Sequence, residues 1–381
     1  MKIPIDKIII GKFRVRERID EEHVDRIAES FKTDGQWDPI IVRPSRERPG
    51  YYELISGEYR VRAAMKLGWK EIEATIKDVD DQEAMVLALK TNLIRKNMTD
   101  LEEAEAVKRL MDEYNLDGNS VAKLLGVSPT WVSNRLALVM RLIDDVREAL
   151  VRGKITLEHA VLISRLTIKH EKKLPDGTTK IERIPDERKQ RLFLKYIIER
   201  KLPTSKAREA LKWLQNDTIY TIGYEGRTLD EFIQVLKEHG IELVIDIRKS
   251  GQSRFKPEFN EDILKRALNE AGIEYERRPD LGVPYEIREP YVRGWLSHEC
   301  FEQWYRWSVR GRIVDGKPKD LIPELVKRLK QKRSCLMCEE RYPTPKGKQK
   351  HYCHRHLLAK MIMEYEDPKE PLMKFERRVD L

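Results

Sequence analysis

Cysteine is scarce in this chain: four residues in 381, none before position 300, and three of the four between 335 and 353. A secreted disulfide framework spreads many cysteines through a short chain, so this distribution excludes one and points to a metal or reactive site. Long apolar runs are missing too. The chain opens Met1-Lys-Ile-Pro-Ile-Asp6, without the apolar core of a secretory signal. No stretch reaches the ~20 residues that a membrane-spanning helix requires. The expectation is a soluble cytoplasmic protein with no membrane partner. Internal repeats and low-complexity tails are also lacking.

What the chain has is charge. Charged residues make up 36 %, and 74 Lys and Arg against 65 Asp and Glu leave a net charge of +9. An excess of this size suits a nucleic-acid partner, but spread over the whole length it reads first as solvated helix faces. The length exceeds one ordinary core, so two or three domains are expected.

Three regions separate along the chain. Residues 1–80 alternate β-like runs (Ile8-Ile-Ile10, Pro39-Ile-Ile-Val-Arg43, Tyr51-Tyr-Glu-Leu-Ile55, Glu73-Ala-Thr-Ile76) with two helical patterns, one over Glu21–Asp34 and one starting at Tyr59. Residues 81–216 are helical, interrupted by a polar segment at 167–185 that reads as an insertion around a Pro-Asp-Gly turn. Residues 217–381 alternate strand and helix: Ile219-Tyr-Thr-Ile222, a helix over Leu229–His239, Leu243-Val-Ile-Asp246, a helix near Glu261–Ala271, then Ile273-Glu-Tyr275. That order predicts an α/β domain with a mostly parallel sheet.

Within the helical region, Asn119-Ser-Val-Ala-Lys-Leu-Leu-Gly-Val-Ser-Pro-Thr-Trp-Val-Ser-Asn-Arg-Leu136 has the grammar of a helix-turn-helix. Ala122 is small where helices cross, Gly126 permits the turn, Ser128 caps the second helix and Pro129 fits its first position. An ordinary helical hairpin is the competing reading. With Val132 and Leu136 inward, Thr130, Ser133, Asn134 and Arg135 fall outward or to the flank. For a DNA partner, Ser133, Asn134 and Arg135 are the base-reading candidates, with Lys123, Thr130 and Trp131 at the backbone.

Ile40-Ile-Val-Arg-Pro44, Leu54-Ile-Ser-Gly-Glu-Tyr-Arg-Val-Arg-Ala-Ala64, Thr91-Asn-Leu-Ile-Arg95 and Leu101-Glu-Glu-Ala104 follow one another in the order and spacing of ParB, the chromosome- and plasmid-partition family. The helix-turn-helix sits where that family has it, and Gly153-Lys-Ile-Thr-Leu-Glu-His-Ala160 resembles the segment after it. Over residues 1–216 the resemblance implies an α+β domain of the ParB/sulfiredoxin type followed by an all-α helix-turn-helix domain. It implies a nucleoid-associated, CTP-regulated clamp on double-stranded DNA, with homodimerisation. Gly57, Glu58, Tyr59 and Arg60, with Asn92 and Arg95, would hold the triphosphate and its Mg²⁺. Glycine lets the backbone approach a phosphate, a helix start offers free N–H groups, and an arginine adds bidentate contacts. Tyr59 stands where the family has arginine, and Thr91 where it has glutamate. The second departure removes a carboxylate from the Mg²⁺ environment and leaves at most weak hydrolysis. The family's C-terminal dimerisation domain is replaced by a different domain. Sulfiredoxin chemistry, which needs a cysteine just before the motif arginine, is excluded. A free-serine kinase with Glu58 as base would leave the helix-turn-helix idle.

Residues 218–365 resemble an uncharacterised α/β family, through Thr221-Ile-Gly-Tyr224, Asp246-Ile-Arg248, Leu281-Gly282, Cys338-Glu-Glu340 and Cys353-His-Arg355. Loops at the C-terminal ends of parallel strands converge on one site. Asp246, Arg248, Cys338, Glu340 and His354 are the catalytic candidates there, with Gly223, Tyr224, Ser253 and Arg254 nearby. A structural Asp246–Arg248 pair is the alternative. The spacing Cys335-x₂-Cys338-x₁₄-Cys353-x₂-His356 is that of a zinc knuckle. Either these four hold Zn²⁺, or Cys338, Cys353 and His354 form an active site and Cys335 is incidental. Cys300, beside Phe301 and Trp304 on a helical pattern, is expected in the core. The leading expectation is a ParB-like, nucleotide-regulated DNA-binding protein. The alternative is a nuclease or phosphotransferase targeted by its ParB-like half.

Overall fold

A computed structural model describes residues 1–14, 19–94, 98–173, 178–253, 255–314, 317–342, 344–345 and 351–381. The chain divides into two compact units, Met1–Thr204 and Ser205–Leu381.

The first unit begins with β1 (Lys2–Pro4), β2 (Ile8–Ile9), α1 (Glu21–Asp34), β3 (Ile40–Pro44), β4 (Tyr52–Ser56), α2 (Glu58–Lys66) and β5 (Glu71–Ile76). The strands form one mixed sheet in the order β1-β5-β3-β4-β2. Alternation dictates which side chains go where. Ile40, Val42, Leu54, Ile72 and Ala74 face α1 and α2, which supply Val24, Ala28, Phe31, Val61 and Ala64. Ile55 and the half-buried Ile41 face the other way, onto helices that follow. Those helices are α3 (Asp81–Ile94), α4 (Asp100–Tyr114), α5 (Gly118–Leu125), α6 (Pro129–Met140), α7 (Asp144–Val151) and α8 (Leu157–Ile163). Arg43, 1 % exposed, locks the junction. Its Nε donates to Glu53 at 2.8 Å, another nitrogen to the Val79 carbonyl at 3.0 Å, and a third pairs with Asp81 at the start of α3. The polar segment after α8 is a β-hairpin, β6 (Thr167–Lys173) with β7 (Thr179–Pro185), whose expected Pro-Asp-Gly turn lies outside the described residues. Helix α9 (Glu187–Arg200) completes the unit.

The second unit contains α10 (Thr204–Gln215, which starts one residue before the division), β8 (Thr218–Gly223), α11 (Leu229–Glu238), β9 (Leu243–Asp246), α12 (Glu261–Glu270) and β10 (Glu274–Arg277). Helices α13 (Tyr285–Val292) and α14 (His298–Arg310) lead to a short hairpin, β11 (Arg312–Val314) and β12 (Lys317–Lys319). Then come α15 (Ile322–Gln331), β13 (Ser334–Cys338), α16 (His354–Glu364) and β14 (Arg377–Asp380). The main sheet runs β10-β9-β13-β8-β14, and every pairing in it is parallel. Strands β8, β9 and β13 are buried along their whole length, as a parallel sheet covered on both faces requires. Leu243, Ile245, Leu336 and Cys338 meet residues of α14, α15 and α16 on one face. Tyr220, Ile222, Val244, Cys335 and Met337 meet α11 and α12 on the other. No helix among the described residues is long and apolar enough to cross a membrane.

Cys300 departs from expectation, being exposed. The inward stripe of α14 is Phe301, Tyr305 and Val309, and position 300 lies one step of about 100° off it.

In α15, Lys330 is 1 % exposed. Its ammonium donates to the carbonyls of Trp213 at 2.9 Å and Lys374 at 2.7 Å, and lies over the Phe375 ring. Lys330→Met keeps the bulk but takes the donor from two part-buried carbonyls. It should lower the stability of the second unit by about 1–3 kcal/mol, read as a shift of the urea midpoint.

Candidate functional site

In the first unit a cavity of about 400 Å³ opens at the C-terminal end of β4. Gly57, Glu58, Tyr59 and Arg60 line it, together with Arg14, His23, Ser56, Thr91 and Asn92. Gly57 precedes α2 with φ of +110°, in the left-handed region, and a Cβ there would sit 2.8 Å from Ile40 Cγ2. Only glycine fits, and no side chain caps the helix start. That leaves the first amides of α2 facing the cavity without a side-chain acceptor.

The charged residues divide their work. Arg60 is 8 % exposed, and one terminal nitrogen donates to the carbonyls of Asp38 at 2.6 Å and Pro39 at 2.7 Å. Glu58 accepts from Arg62 at 2.8 Å and lies 3.4 Å from Arg14. Tyr59 accepts from the Asp20 amide at 3.3 Å and meets His23 edge-on. The Thr91 hydroxyl lies 3.1 Å from that of Ser56, and the Asn92 amide donates to the Ala88 carbonyl at 2.8 Å. Arg95 lies outside the described residues. Arg14 was missed in the sequence because no motif marks it. Its Nε is buried with no hydrogen bond among the described residues.

The helix-turn-helix forms as its residues dictate. Asp117 caps α5, Gly126 ends it, and the Ser128 hydroxyl accepts from the Trp131 amide at the start of α6. Lys123, Thr130 and Ser133 are exposed, and Trp131 and Asn134 half-buried. Arg135 is not outward. It is 7 % exposed, its Nε donates to Glu103 at 2.6 Å, a terminal nitrogen pairs with Asp100 at 3.0 Å, and its guanidinium lies over the Trp131 ring. Residue 135 is three positions after Val132, on the same face, so its side chain turns toward α4.

In the second unit, Cys338, Glu340, Cys353 and His354 come together, all buried, with one ligand-type atom of each within 4.8 Å of the others. Cys338 ends β13, Glu340 lies two residues on, Cys353 is the N-cap of α16 and His354 its first residue. Both thiols reach Glu340 Oε2, at 3.1 and 3.0 Å. His354 Nδ1 lies 3.6 Å from Cys338 Sγ and 4.0 Å from Cys353 Sγ, while its Nε2 meets the Ile247 carbonyl at 3.1 Å. The expected set with Cys335 and His356 is not assembled. Cys335 is three residues before Cys338 on one strand, so it points to the opposite face, where burial pushes its thiol up. His356 lies 2.8 Å from an Arg378 nitrogen and beside the Tyr352 ring.

Charges in the cluster are interdependent. Burial would raise the Cys338 thiol, but a hydrogen bond from Cys353 and the charge of His354 outweigh it and bring it to about 7. Burial and the Cys338 neighbour push Cys353 up. Burial opposes ionisation of Glu340, yet His354 and Arg288 hold it well below the usual range. Burial would lower His354, but the Cys338 sulfur and Glu340 raise it.

Asp246 is fully buried. Its oxygens accept from Arg248 at 2.6 to 3.0 Å and from the Tyr275 hydroxyl at 2.8 Å. Arg248 and Ser253 line a cavity of about 480 Å³ with Tyr224, Lys249, Arg288, Cys338 and His354. Arg254 lies outside the described residues. Gly223 lets two chains pass: a Cβ would meet the Glu340 carbonyl oxygen at 1.8 Å and Arg355 at 2.6 Å. Arg288 and Tyr275 carry no motif in the sequence, whereas Arg355 stands within Cys353-His-Arg355 and anchors the carbonyls of Glu340 and Arg341.

The first unit thus pairs a glycine-gated pocket with a helix-turn-helix, and the second presents a buried cysteine-histidine cluster at the end of a parallel sheet. Family models place both. Residues 1–93 match the ParB N-terminal domain, residues 96–182 the ParB helix-turn-helix domain, and residues 228–362 a domain of unknown function, DUF488. The chain is a fusion of ParB-type domains with a DUF488 domain. It is 40 % identical over 159 residues to a nucleoid occlusion protein of Geobacillus sp. (strain WCH70), covering 42 % of this chain and 56 % of that protein. The chain therefore spans little more than half the length of that curated relative. A C-terminally truncated ParB of Caulobacter crescentus complexed to the centromeric parS site is 26 % identical (55 % of this chain, 96 % of that chain, TM-score 0.41). The same protein complexed with CTP-γ-S is 30 % identical (43 % and 91 %, TM-score 0.25).

Arg135→Ala should leave the half-buried Glu103 without its cation and destabilise the first unit by about 1–3 kcal/mol. Thermal melting of the full chain measures the loss.

Proposed function

We propose that this chain binds double-stranded DNA through its helix-turn-helix and that a nucleoside triphosphate, CTP by its likeness to ParB, regulates that binding. The observation that carries the reading is the start of α2: an uncapped helix N-terminus behind a glycine whose Cβ position is filled by Ile40, opening into the cavity. A triphosphate would meet the free amides of that turn, as anions do at helix starts. Arg14, whose Nε lies 3.4 Å from Glu58, would add a charge-assisted contact by turning from that carboxylate to a phosphate oxygen, and Arg60 would hold the Asp38–Pro39 wall in place. Asn92, and Arg95 by resemblance, complete the set. Mg²⁺ accompanies the nucleotide, but α3 offers the cavity the neutral Thr91 and Asn92, so turnover is weak at most. Lys123, Thr130 and Ser133 are presented to DNA, with Trp131 and Asn134 at the edge. Arg135 serves by fixing α6 against α4. A homodimer acting at the nucleoid is the corresponding assembly and place.

The test is retention of mixed-sequence DNA by the full chain with and without CTP and Mg²⁺, with strand breaks and phosphate release followed together. CTP-dependent retention without breaks and with slow phosphate release is expected. Arg14→Ala should weaken CTP binding about tenfold, the worth of one charge-assisted contact. Equal retention with and without CTP would remove the nucleotide from the reading. Strand breaks lost in Cys338→Ala would favour a processing enzyme instead.

A further inference from the structure

We propose that Cys338, Glu340, Cys353 and His354 hold a Zn²⁺ ion, and that this ion forms one wall of a cavity that takes a phosphate-bearing ligand. Zinc bonds of about 2.0–2.3 Å set tetrahedral ligands about 3.3–3.8 Å apart. The contacts here run from 3.0 to 4.0 Å between the sulfurs, the Glu340 oxygen and His354 Nδ1. The four ligands come in two short pairs, Cys338-x-Glu340 after β13 and Cys353-His354 at the start of α16, so two rigid elements fix them. The imidazole stands beside Cys338 Sγ, with Nδ1 at 3.6 Å and Nε2 at 3.8 Å, and its Nε2 meets the Ile247 carbonyl, the outer-shell bond that zinc-binding histidines characteristically make and that leaves Nδ1 for the ion.

Charge and softness choose the ion. Two thiolates and a carboxylate place three negative charges in a pocket where every residue is buried, and Arg288, 3.1 Å from Glu340, supplies one positive charge. A dication supplies the other two. Two sulfurs with an imidazole favour zinc over magnesium or calcium.

Cys338 and His354 also line the 480 Å³ cavity, so two of the ion's four ligands form that wall and a ligand in the cavity lies against them. Arg248 lines the same cavity at 6 % exposure, and its remaining terminal nitrogen is buried with no hydrogen bond among the described residues. Its other nitrogens are spent on Asp246. A buried guanidinium N–H without an acceptor is costly, and a phosphate oxygen is the acceptor that its geometry suits. Lys249 adds a second cation, Arg288 is shared between Glu339 and Glu340 at the cavity wall, and exposed Tyr285 adds a ring at the rim.

The experiment uses the full chain, purified reduced. One equivalent of zinc by mass spectrometry is expected. Replacement by Co²⁺ should give thiolate charge-transfer bands and the d–d bands of a tetrahedral site. Cys353→Ser and His354→Ala should weaken the metal at least tenfold, while Cys335→Ser and His356→Ala match the unaltered chain. No zinc, no cobalt spectrum or a Cys338–Cys353 disulfide in the unaltered protein would overturn the site without relying on any variant's folding. Equal loss in Cys335→Ser would overturn the ligand set. Inorganic phosphate should shift the cobalt bands saturably, and Lys249→Gln should raise the concentration needed several-fold. Bands that ignore phosphate would overturn the cavity's part in the proposal.

Discussion

A buried guanidinium cannot shed its charge, so the fold must bring acceptors to it. Among the described residues Arg43, Arg60, Arg135, Arg248 and Arg355 are all buried. All but Arg248 draw separate segments together to meet their N–H groups. Arg43 joins β3, β4 and the start of α3, and Arg60 pins α2 to the chain entering β3. Arg135 ties α6 to α4, Arg248 folds back on β9, and Arg355 carries the chain after β13 over Gly223. Removing one partner from such a pair costs far more than the pair contributes net, so these contacts fix geometry more than they add stability.

Where the acceptors are complete, the arginine is architectural. Arg135 has two carboxylates and a ring, which makes the second helix of the helix-turn-helix a rigid platform for its exposed Thr130 and Ser133. Where an incompletely met guanidinium borders a cavity, as that of Arg355 does not, it points to something absent. Arg248 has one nitrogen without a hydrogen bond beside a cavity, and Arg14 in the other unit meets the Glu58 carboxylate at 3.4 Å, too long for a strong hydrogen bond. Both stand next to a feature that already suits an anion: an uncapped helix start in one case, a cation-rich cavity in the other.

Much of the fold was legible because periodicity and caps act locally. The 21–34 helix, the Gly57 turn, the Ser128–Pro129 helix start and the order of β8, α11, β9, α12 and β10 follow from the spacing of apolar residues and a few turn residues. The sites were half legible. Cys338, Glu340 and His354 were named together, and the alternation that separates Cys335 from Cys338 was also present, since Leu336 and Met337 make that stretch a strand. The knuckle spacing assumed a turn where the chain is extended. Arg135 was misjudged for a different reason: its partners are on α4, some thirty residues away, and helical phase alone does not reveal a carboxylate waiting there. Arg288 and Tyr275 are likewise defined by tertiary neighbours.

The two sites differ in what they are made of, and that difference explains which departures each tolerates. The first pocket rests on backbone: a left-handed glycine, a helix start and a wall held by Arg60. Changes at side chains such as Tyr59 and Thr91 leave that backbone frame standing. The second site rests on side chains, four of them with a ligand-type atom within 4.8 Å of the others and both thiols sharing Glu340 Oε2. No backbone substitute exists for a thiolate or an imidazole. The same physics that lets the first site drift therefore forbids drift in the second, where a single lost ligand would leave a buried charge unanswered.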